Sequence, residues 1–272
     1  MLYQENAVLD ALRKDGIEAE QVAVVKNGIT CKGIRICSND GISPVIYYSE
    51  EETVSEFLSR VHSILQYDAP QIDLDEITSW RRVKESIYLS VQKHSNDEVI
   101  KKQYLNLDVI LRLALDLGID GEGSIKITEG LAKKIGVSEE ELWMAARQNT
   151  RDSTAIRRLS DILGIEDDDE EDGGLYVCSA GNYGGASVLL LPEVFAQLCN
   201  DHSEKDCYIL PSSIEEVIVI FGSEVRNRMS VKELARMVDI INHEQVDPLM
   251  QLPPVVYQYR TCDNTICIAT TA

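Results

Sequence analysis

The stretch Cys207-Tyr208-Ile209-Leu210-Pro211-Ser212-Ser213-Ile214-Glu215-Glu216-Val217-Ile218-Val219-Ile220 contains two short apolar runs on either side of a Pro-Ser-Ser segment. Short apolar runs are typical of strands that are buried on both faces of a sheet, and proline and serine are favoured at turns. The stretch therefore predicts two buried strands joined by a corner. Similar apolar runs at 175–178 and 188–191, around a glycine-rich turn, place a core in this half of the chain.

The composition is that of a globular protein. Of 272 residues, 44% are hydrophobic and 26% are charged, which allows one large domain or two ordinary ones. No apolar run approaches the ~18 residues of a membrane-spanning helix, and the first residues lack the pattern of a secretory signal. We therefore expect a cytoplasmic protein. The seven cysteines form no C-x-x-C pair, and a reducing compartment predicts buried thiols without disulfides.

The formal net charge is -20, and seven of the negative charges come from an acidic run, Glu166-Asp167-Asp168-Asp169-Glu170-Glu171-Asp172. Such a block repels itself and stays solvated, which is typical of a linker. The alternative is an electrostatic contact with a basic partner, by imitation of a phosphate backbone. The acidic balance argues against direct binding of nucleic acid, which requires clustered basic residues. The pairs Arg81-Arg82 and Arg157-Arg158 are interpreted as solvated helix faces.

The N-terminal part of the chain predicts a helix, three strands and a second helix. Asn27-Gly28 between two β-branched runs is a strong hairpin signal. The third strand contains Pro44, which favours a sheet edge, and Ser49 with Glu52 predicts a capping box. The predicted elements are helix 5–14, strands 21–26, 29–37 and 42–48, and a helix over 49–66.

The remaining elements follow from the same signals. Ser138 with Glu141 predicts a second capping box. The pattern at 105–117 alone allows either a helix or a strand, but the turn at 118–123 and the alternation at 124–128 favour a hairpin. Before the acidic run we predict a helix from 79 passing into a strand at 87–91, a strand at 124–128, and helices at 129–135, 138–148 and 155–163. After it we predict strands 175–179 and 186–190, a helix over 192–199, the two strands of the opening stretch, a helix over 230–241, and a hairpin of strands 255–259 and 265–269.

Together these elements predict an α+β fold with short, mainly antiparallel strands in two lobes. The expected organisation is a part at 1–66, a middle segment at 75–164 that packs with it, an acidic linker at 166–173 and a C-terminal lobe at 174–272. In helix 230–241, which begins at the N-cap Ser230, apolar residues at helical spacing lie on one face. That face comprises Leu234, Met237, Val238 and Ile241.

Several short motifs follow one another along the chain. They are Gly28-Ile29, Gly33-Ile34, residues 42–47, Val137, Glu141-Leu142, Ala145, Asn149-Thr150, Gly185-Ala186, Leu190, Pro192, residues 209–214 and Glu216-Val217. This set, with Leu-Pro-Ser-Ser as its most specific part, resembles an uncharacterised bacterial family known only as a domain of unknown function. The resemblance covers essentially the whole chain. It implies a cytoplasmic α+β protein and brings no established activity, cofactor or catalytic residue; where that family often has His, this chain has Glu215.

Ser212 and Ser213 are candidate nucleophiles of a hydrolase, because serine at a sharp turn can be activated by a neighbouring base. The base would be His243, Glu215 or Glu216. The G-x-S-x-G elbow is absent and no histidine stands at a recognisable triad spacing. We therefore interpret the two hydroxyls as bonded to backbone groups at the corner.

Metal and phosphate sites are not predicted. Cys199, His202 and Cys207, with Asp201 and Asp206 between them, have ligand chemistry, but C-x2-H-x4-C supplies three ligands and no fourth. The glycine-rich turn at 181–185 lacks the order of a phosphate-binding loop and suits positive φ angles instead. His62 and His94 are isolated in the sequence, and we predict no cofactor.

We predict a non-catalytic interaction or accessory module that binds another macromolecule. The partner is expected to be a protein of basic character, with residues 166–172 as the candidate contact. One alternative is an acidic inhibitor of a basic nucleic-acid-handling protein, and the other is the hydrolase at Ser212 or Ser213. The sequence leaves the oligomeric state open.

Overall fold

The computed structural model describes residues 2–37, 45–49, 52–66, 74–116, 122–164, 174–181, 184–211 and 213–271. The chain divides into two compact units, Met1–Leu74 and Asp75–Ala272. Both contain helices and antiparallel strands, which confirms the predicted α+β class. Within these ranges, none of the helices combines the length and apolar content that crossing a membrane requires. The acidic run lies outside the described residues.

The first unit is a three-stranded sheet packed with two helices. Its elements are α1 (Leu2–Lys14), β1 (Ala19–Lys26), β2 (Ile29–Ile36), β3 (Val45–Tyr47) and α2 (Val54–Gln66). The strand order is β1-β2-β3, so β3 is an edge strand as predicted; Pro44 lies outside the described residues. Asn27 and Gly28 have φ angles of 47° and 77°, which confirms a tight hairpin turn with two positive φ angles.

Helix α2 begins later than the sequence predicts. Thr53 accepts a hydrogen bond from the Glu56 N–H at 3.3 Å, and the Glu56 carboxylate accepts one from the Thr53 N–H at 2.9 Å. The predicted helix start at Ser49 is therefore wrong. The Glu52 carboxylate binds Arg60 at 2.6 Å and also accepts a backbone hydrogen bond from Ser49, which is one half of the predicted capping box. Two capping signals follow each other at 49–52 and 53–56, and the helix begins at the second one.

The second unit contains two sheets. The smaller comprises β4 (Ile87–Lys93), β5 (Lys101–Tyr104), β6 (Leu107–Asp116) and β7 (Glu122–Lys126), with β6 between β4 on one side and β5 and β7 on the other. The ambiguous run at 105–117 is thus a central strand. Four helices accompany this sheet: α3 (Leu74–Ile77), α4 (Trp80–Ser86), α5 (Glu129–Ile135) and α6 (Glu139–Asp152). The predicted capping box at Ser138 and Glu141 is confirmed.

The larger sheet has the order β13-β12-β10-β11-β9-β8. Its two central strands are those of the opening stretch, and Ile209 lies opposite Val219 in their antiparallel pairing. The elements are β8 (Thr154–Arg158), α7 (Leu159–Leu163), β9 (Tyr176–Ala180), a 3-10 helix (Gly185–Leu190), α8 (Pro192–Asp201), β10 (Asp206–Leu210), β11 (Val217–Phe221), α9 (Gly222–Arg228), α10 (Val231–Gln245), β12 (Val255–Arg260) and β13 (Thr265–Thr271).

Two elements differ in type from the sequence prediction. The helix predicted over 155–163 is wrong for its first half, which forms β8 because pairing with β9 outweighs a local pattern that suits either structure. The strand predicted over 186–190 is also wrong. All six residues of the 3-10 helix are buried. The run is apolar because every side of this short helix is buried, and a buried strand would show the same pattern.

The core explains the placement of the helices. One apolar cluster includes residues from both sheets of the second unit, and another joins α10 to the larger sheet. Helix α10 is rotated relative to the prediction: it buries Leu234, Ala235, Val238 and Asn242. Met237 and Ile241, predicted to share a face with Leu234 and Val238, are exposed.

Candidate functional site

The edge of the larger sheet at β8 presents open backbone groups. The Leu159 N–H donates to the Leu175 carbonyl oxygen at 2.9 Å, and the Gly181 N–H donates to the Ser153 carbonyl oxygen at 3.2 Å. In an antiparallel pair every second residue bonds the neighbouring strand. The odd-numbered residues of β8 therefore bond β9. Thr154 and Ile156 direct their N–H and C=O groups to the other side, where the sheet ends.

Side chains on β8 and α7 give this edge an apolar character. Ile156 lies opposite the fully buried Cys178 and therefore on the core-facing side of the sheet, yet Ile156 itself is exposed. Helix α7 follows directly and exposes Ile162 and Leu163, the latter by 61%. Arg157 is exposed on the opposite face of the strand. The prediction that Arg157 and Arg158 occupy a helix face is wrong, since both belong to β8.

The acidic run joins this edge in the sequence. Residues 165–173 connect α7 to β9, and β9 is the strand that pairs with β8. Seven carboxylates thus follow two exposed apolar residues, Ile162 and Leu163, within ten positions of the chain. We refer to β8 and α7 together as the β8 edge.

The serine candidates do not form a nucleophilic site among the described residues. Ser213 is buried, and its hydroxyl oxygen accepts the Glu215 N–H at 3.1 Å. Ser213 also forms an isolated bridge with Gln251. Its hydroxyl therefore satisfies the backbone at the corner, as the sequence interpretation states. His243 is exposed on α10 and binds the Asp239 carbonyl oxygen at 2.8 Å; Ser212 lies outside the described residues.

The side chains considered as metal ligands lie in different environments. Cys199 and Cys207 are fully buried and hydrogen-bonded to each other. The hydrogen bond between the two thiols raises the pKa of Cys207, and burial raises this pKa further. The same hydrogen bond lowers the pKa of Cys199 and outweighs the opposing effect of burial there. His202 instead binds the Tyr176 hydroxyl at 2.8 Å and lies against the Phe221 ring. Within the described ranges, no three His, Cys, Asp or Glu side chains group as a metal site would require.

The glycine-rich turn serves close packing. Gly181 and Gly184 have φ angles of 69° and 147°, which glycine adopts without strain. A Cβ carbon at position 184 would come within 2.8 Å of the Ser90 hydroxyl oxygen. The turn thus brings the end of β9 close to β4, and Asn182 and Tyr183 lie outside the described residues.

The sequence analysis missed a half-buried cluster of charged side chains around the buried Asp108. Lys126 binds the Asp97 carboxylate at 2.7 Å, and Lys101 lies 3.5 Å from both Asp97 and Asp108. His94, predicted to be isolated, binds Asp108 at 2.8 Å. Residues from 94 to 126 contribute, so no short motif could have indicated the cluster. His62 is not isolated either, since it lies 3.2 Å from Asp15.

The carboxylates of the cluster lie against positively charged side chains. Burial by itself raises the pKa of the Asp97 carboxyl, but hydrogen bonds from Lys126, Ser95 and Gln92 outweigh burial and lower this pKa to about 2. Two carboxylates face two ammonium groups, and Gln92 also accepts a hydrogen bond from Lys126 at 3.0 Å. The paired charges anchor the segment between β4 and β5, and His94, which is exposed, lies at the edge of the cluster with its Nδ1 atom bound to Asp108.

A cleft of about 470 Å³ lies beside the cluster. Val99, Ile100 and Ala132 line it together with Lys101. The Lys101 ammonium group is already engaged with the Ser95 carbonyl oxygen and the nearby carboxylates. The cleft therefore has an apolar wall and a charged one, because Glu129, Lys133 and Glu139 also line it.

Several residues that carried the family resemblance have structural roles. Asn149 donates to the Ile87 carbonyl oxygen at 2.7 Å, and Thr150 accepts the Leu89 N–H at 2.9 Å, so both residues satisfy the free edge of β4. A Cβ carbon at Gly33 would overlap the Ile46 carbonyl oxygen. These contacts explain the residue types without any catalytic step.

Comparison with known proteins gives one match. No curated protein and no solved structure shows significant similarity to the chain. The model of a family of unknown function, DUF5688, matches residues 4–261. This match confirms the resemblance to a domain of unknown function, and the chain belongs to the DUF5688 family.

Proposed function

We propose that this protein is a non-catalytic binding module that takes up an extended segment of another protein along the β8 edge. The observation that carries the proposal is the direction of the backbone groups of Thr154 and Ile156, which point away from β9 at the end of the sheet. A partner strand would bond these groups and extend the sheet by one strand. Main-chain hydrogen bonds would give affinity for any extended segment.

Side chains along the edge would select the segment. Ile156 supports an apolar residue on the core-facing side, and Ile162 and Leu163 provide further apolar surface on the helix that follows. Arg157 on the other face favours an acidic or polar residue beside it. The partner pattern is therefore an extended segment with alternating apolar and polar residues.

The net charge of the chain would favour partner proteins that are basic overall. The net charge of -20 attracts basic proteins and repels acidic ones, and residues 166–172 place seven of these charges directly after α7. Electrostatic complementarity chiefly accelerates encounter and excludes wrong partners. A basic flank on the extended segment would thus increase affinity, and moderate salt would reduce it.

The test uses a displayed library of extended peptides selected on the purified full chain. Peptides that bind are then measured against Ile156→Pro and its control Ile156→Thr. Proline at 156 removes an N–H that points away from β9, so the existing ladder is kept while the new one is blocked. Threonine keeps the N–H and shortens the apolar side chain.

We expect selected peptides to bind the wild type, to bind Ile156→Thr within about fivefold, and to lose binding to Ile156→Pro. Circular dichroism checks that both variants keep the native fold. A library that yields no binder, or peptides that bind Ile156→Pro as tightly as the wild type, would show that the β8 edge is not the binding site.

A further inference from the structure

The outer face of α10 carries the densest group of exposed apolar side chains in the described part of the chain. Met237, Ile240 and Ile241 lie within five consecutive residues, and Ile240 is 54% exposed. Their spacing of three and four residues places them on one side of the helix. The other side is fully used, because Leu234, Ala235 and Val238 pack against the larger sheet. Helix α10 therefore has apolar residues on two sides. Those on the inner side are buried, and Met237, Ile240 and Ile241 on the outer side are exposed.

We propose that this outer face binds the same face of a second copy of the chain, with the two α10 helices antiparallel. The distribution of charge along the helix favours a second copy of the chain as the partner. Lys232 and Arg236 lie in the first half of α10, and Glu244 lies at its end. Glu233 also lies in the first half, and its hydrogen bonds with Ser230 in the capping box keep its carboxylate charged. With two cations and one anion, this half keeps a net positive charge. An antiparallel pair places the basic half of one helix beside the acidic end of the other.

The two-fold symmetry of such a pair gives specific contacts. With the symmetry axis near Asp239, Met237 of each copy faces Ile241 of the other, and Ile240 lies at the centre. Arg236 then lies within one turn of Glu244 in the second copy, and the pair occurs twice. Among the described residues, Arg236 is attracted to Glu233 one turn away on its own helix without a direct ion pair, so its side chain can turn to Glu244 of the second copy. A parallel arrangement would place like charges together.

Size and charge predict a weak dimer. A helix of 15 residues is about 22 Å long, which offers less area than the roughly 800 Å² per partner of a standard interface. Two chains of net charge -20 also repel each other. Dimerisation is therefore concentration-dependent, and salt strengthens it by screening the overall repulsion. This salt effect is opposite in sign to that expected for the capture of a basic partner at the β8 edge.

The first test is analytical ultracentrifugation of the full chain over a wide concentration range. We expect a monomer–dimer equilibrium that Ile240→Lys abolishes. Met144→Lys is the matched control, because Met144 is 58% exposed on α6, away from this helix; it leaves the equilibrium unchanged. A wild type that stays monomeric at its highest concentration, or a dimer that survives Ile240→Lys, overturns the proposal.

The second test establishes the direction of the helices. Arg236→Glu and Glu244→Arg each weaken dimerisation by about tenfold, since each converts two attractions into repulsions. The double variant Arg236→Glu with Glu244→Arg restores it, because the exchanged charges again face each other. Failure of the double variant to recover beyond either single variant contradicts the antiparallel pair. Helical content by circular dichroism confirms that each variant is folded.

Discussion

Gly185 lies directly against the main chain of Glu215, since a Cβ carbon at position 185 would overlap the Glu215 carbonyl oxygen. The neighbouring Ala186 N–H donates to the Ile214 carbonyl oxygen at 3.1 Å. The 3-10 helix is thus held against the corner between β10 and β11 by backbone contact. This is the place where the two motifs of the family resemblance, Gly185-Ala186 and residues 209–214, meet in the fold.

We expect Gly185→Ala to lower the free energy of unfolding by about 2–4 kcal/mol, because backbone and not a flexible side chain must move. Urea denaturation measures the change. Gly130→Ala is the control: its nearest neighbour is the Thr128 hydroxyl oxygen at 3.8 Å, and alanine is favoured inside α5 by up to about 1 kcal/mol. A similar loss in both variants would contradict the close approach at 185.

Thr150 connects α6 to the free edge of β4. Its hydroxyl oxygen accepts the Leu89 N–H at 2.9 Å and donates to the Ala146 carbonyl oxygen at 2.7 Å. Valine has nearly the same shape but leaves the buried N–H without a partner, so Thr150→Val should lower the free energy of unfolding by about 1–3 kcal/mol. The exposed neighbour Gln148 provides the control, since Gln148→Ala should change it by less than about 0.5 kcal/mol.

Asp97 predicts a specific dependence of stability on acid. Its pKa falls from 3.8 to about 2 on folding, so the ionised carboxylate stabilises the native state above about pH 4, and this contribution is lost as the pH falls towards 2. Asp97→Asn lacks it. The difference in unfolding free energy between wild type and variant should be constant above about pH 4 and shrink by about 2 kcal/mol below it. A difference that does not vary with pH would contradict the ion pair with Lys126.

The acidic run is expected to contribute charge to partner binding. A variant in which residues 166–172 are changed to the matching Asn and Gln keeps the length of the segment and removes seven negative charges. Peptides with basic flanks should bind this variant more weakly, and their affinity should depend less on salt. Peptides with neutral flanks serve as the control and should be unaffected. Equal binding of basic peptides at all salt concentrations would assign the run to a linker alone.

Local signals predicted much of the fold. The turn at Asn27-Gly28 requires positive φ angles that few residue pairs adopt readily. The predicted capping box at Ser138 involves residues three positions apart. In both cases the deciding interaction lies within four residues, so a short stretch of sequence is enough to predict it. The central strands β10 and β11 were predictable because their residues 207–210 and 217–221 are apolar on both faces.

The remainder depends on partners that are distant in sequence. Strand β8 has a pattern that also suits a helix, and only its pairing with β9 decides between the two. Helix α10 has apolar residues on two sides, and the sheet beneath it determines which side is buried. The charged cluster joins Asp97 to Lys126 across 29 positions. The β8 edge was therefore missed, because a run read as a helix cannot present an open strand.

The pairing of β8 with β9 also bears on how the chain can be divided. These strands lie on either side of residues 165–173, yet they are neighbours in one sheet, joined from Thr154 opposite Ala180 to Arg158 opposite Tyr176. The covalent connection is thus redundant with the hydrogen bonds and the core that hold both strands. Fragments ending and starting within this segment should reassemble when they are produced together. A protease that cuts there would yield a nicked protein that still sediments as one particle.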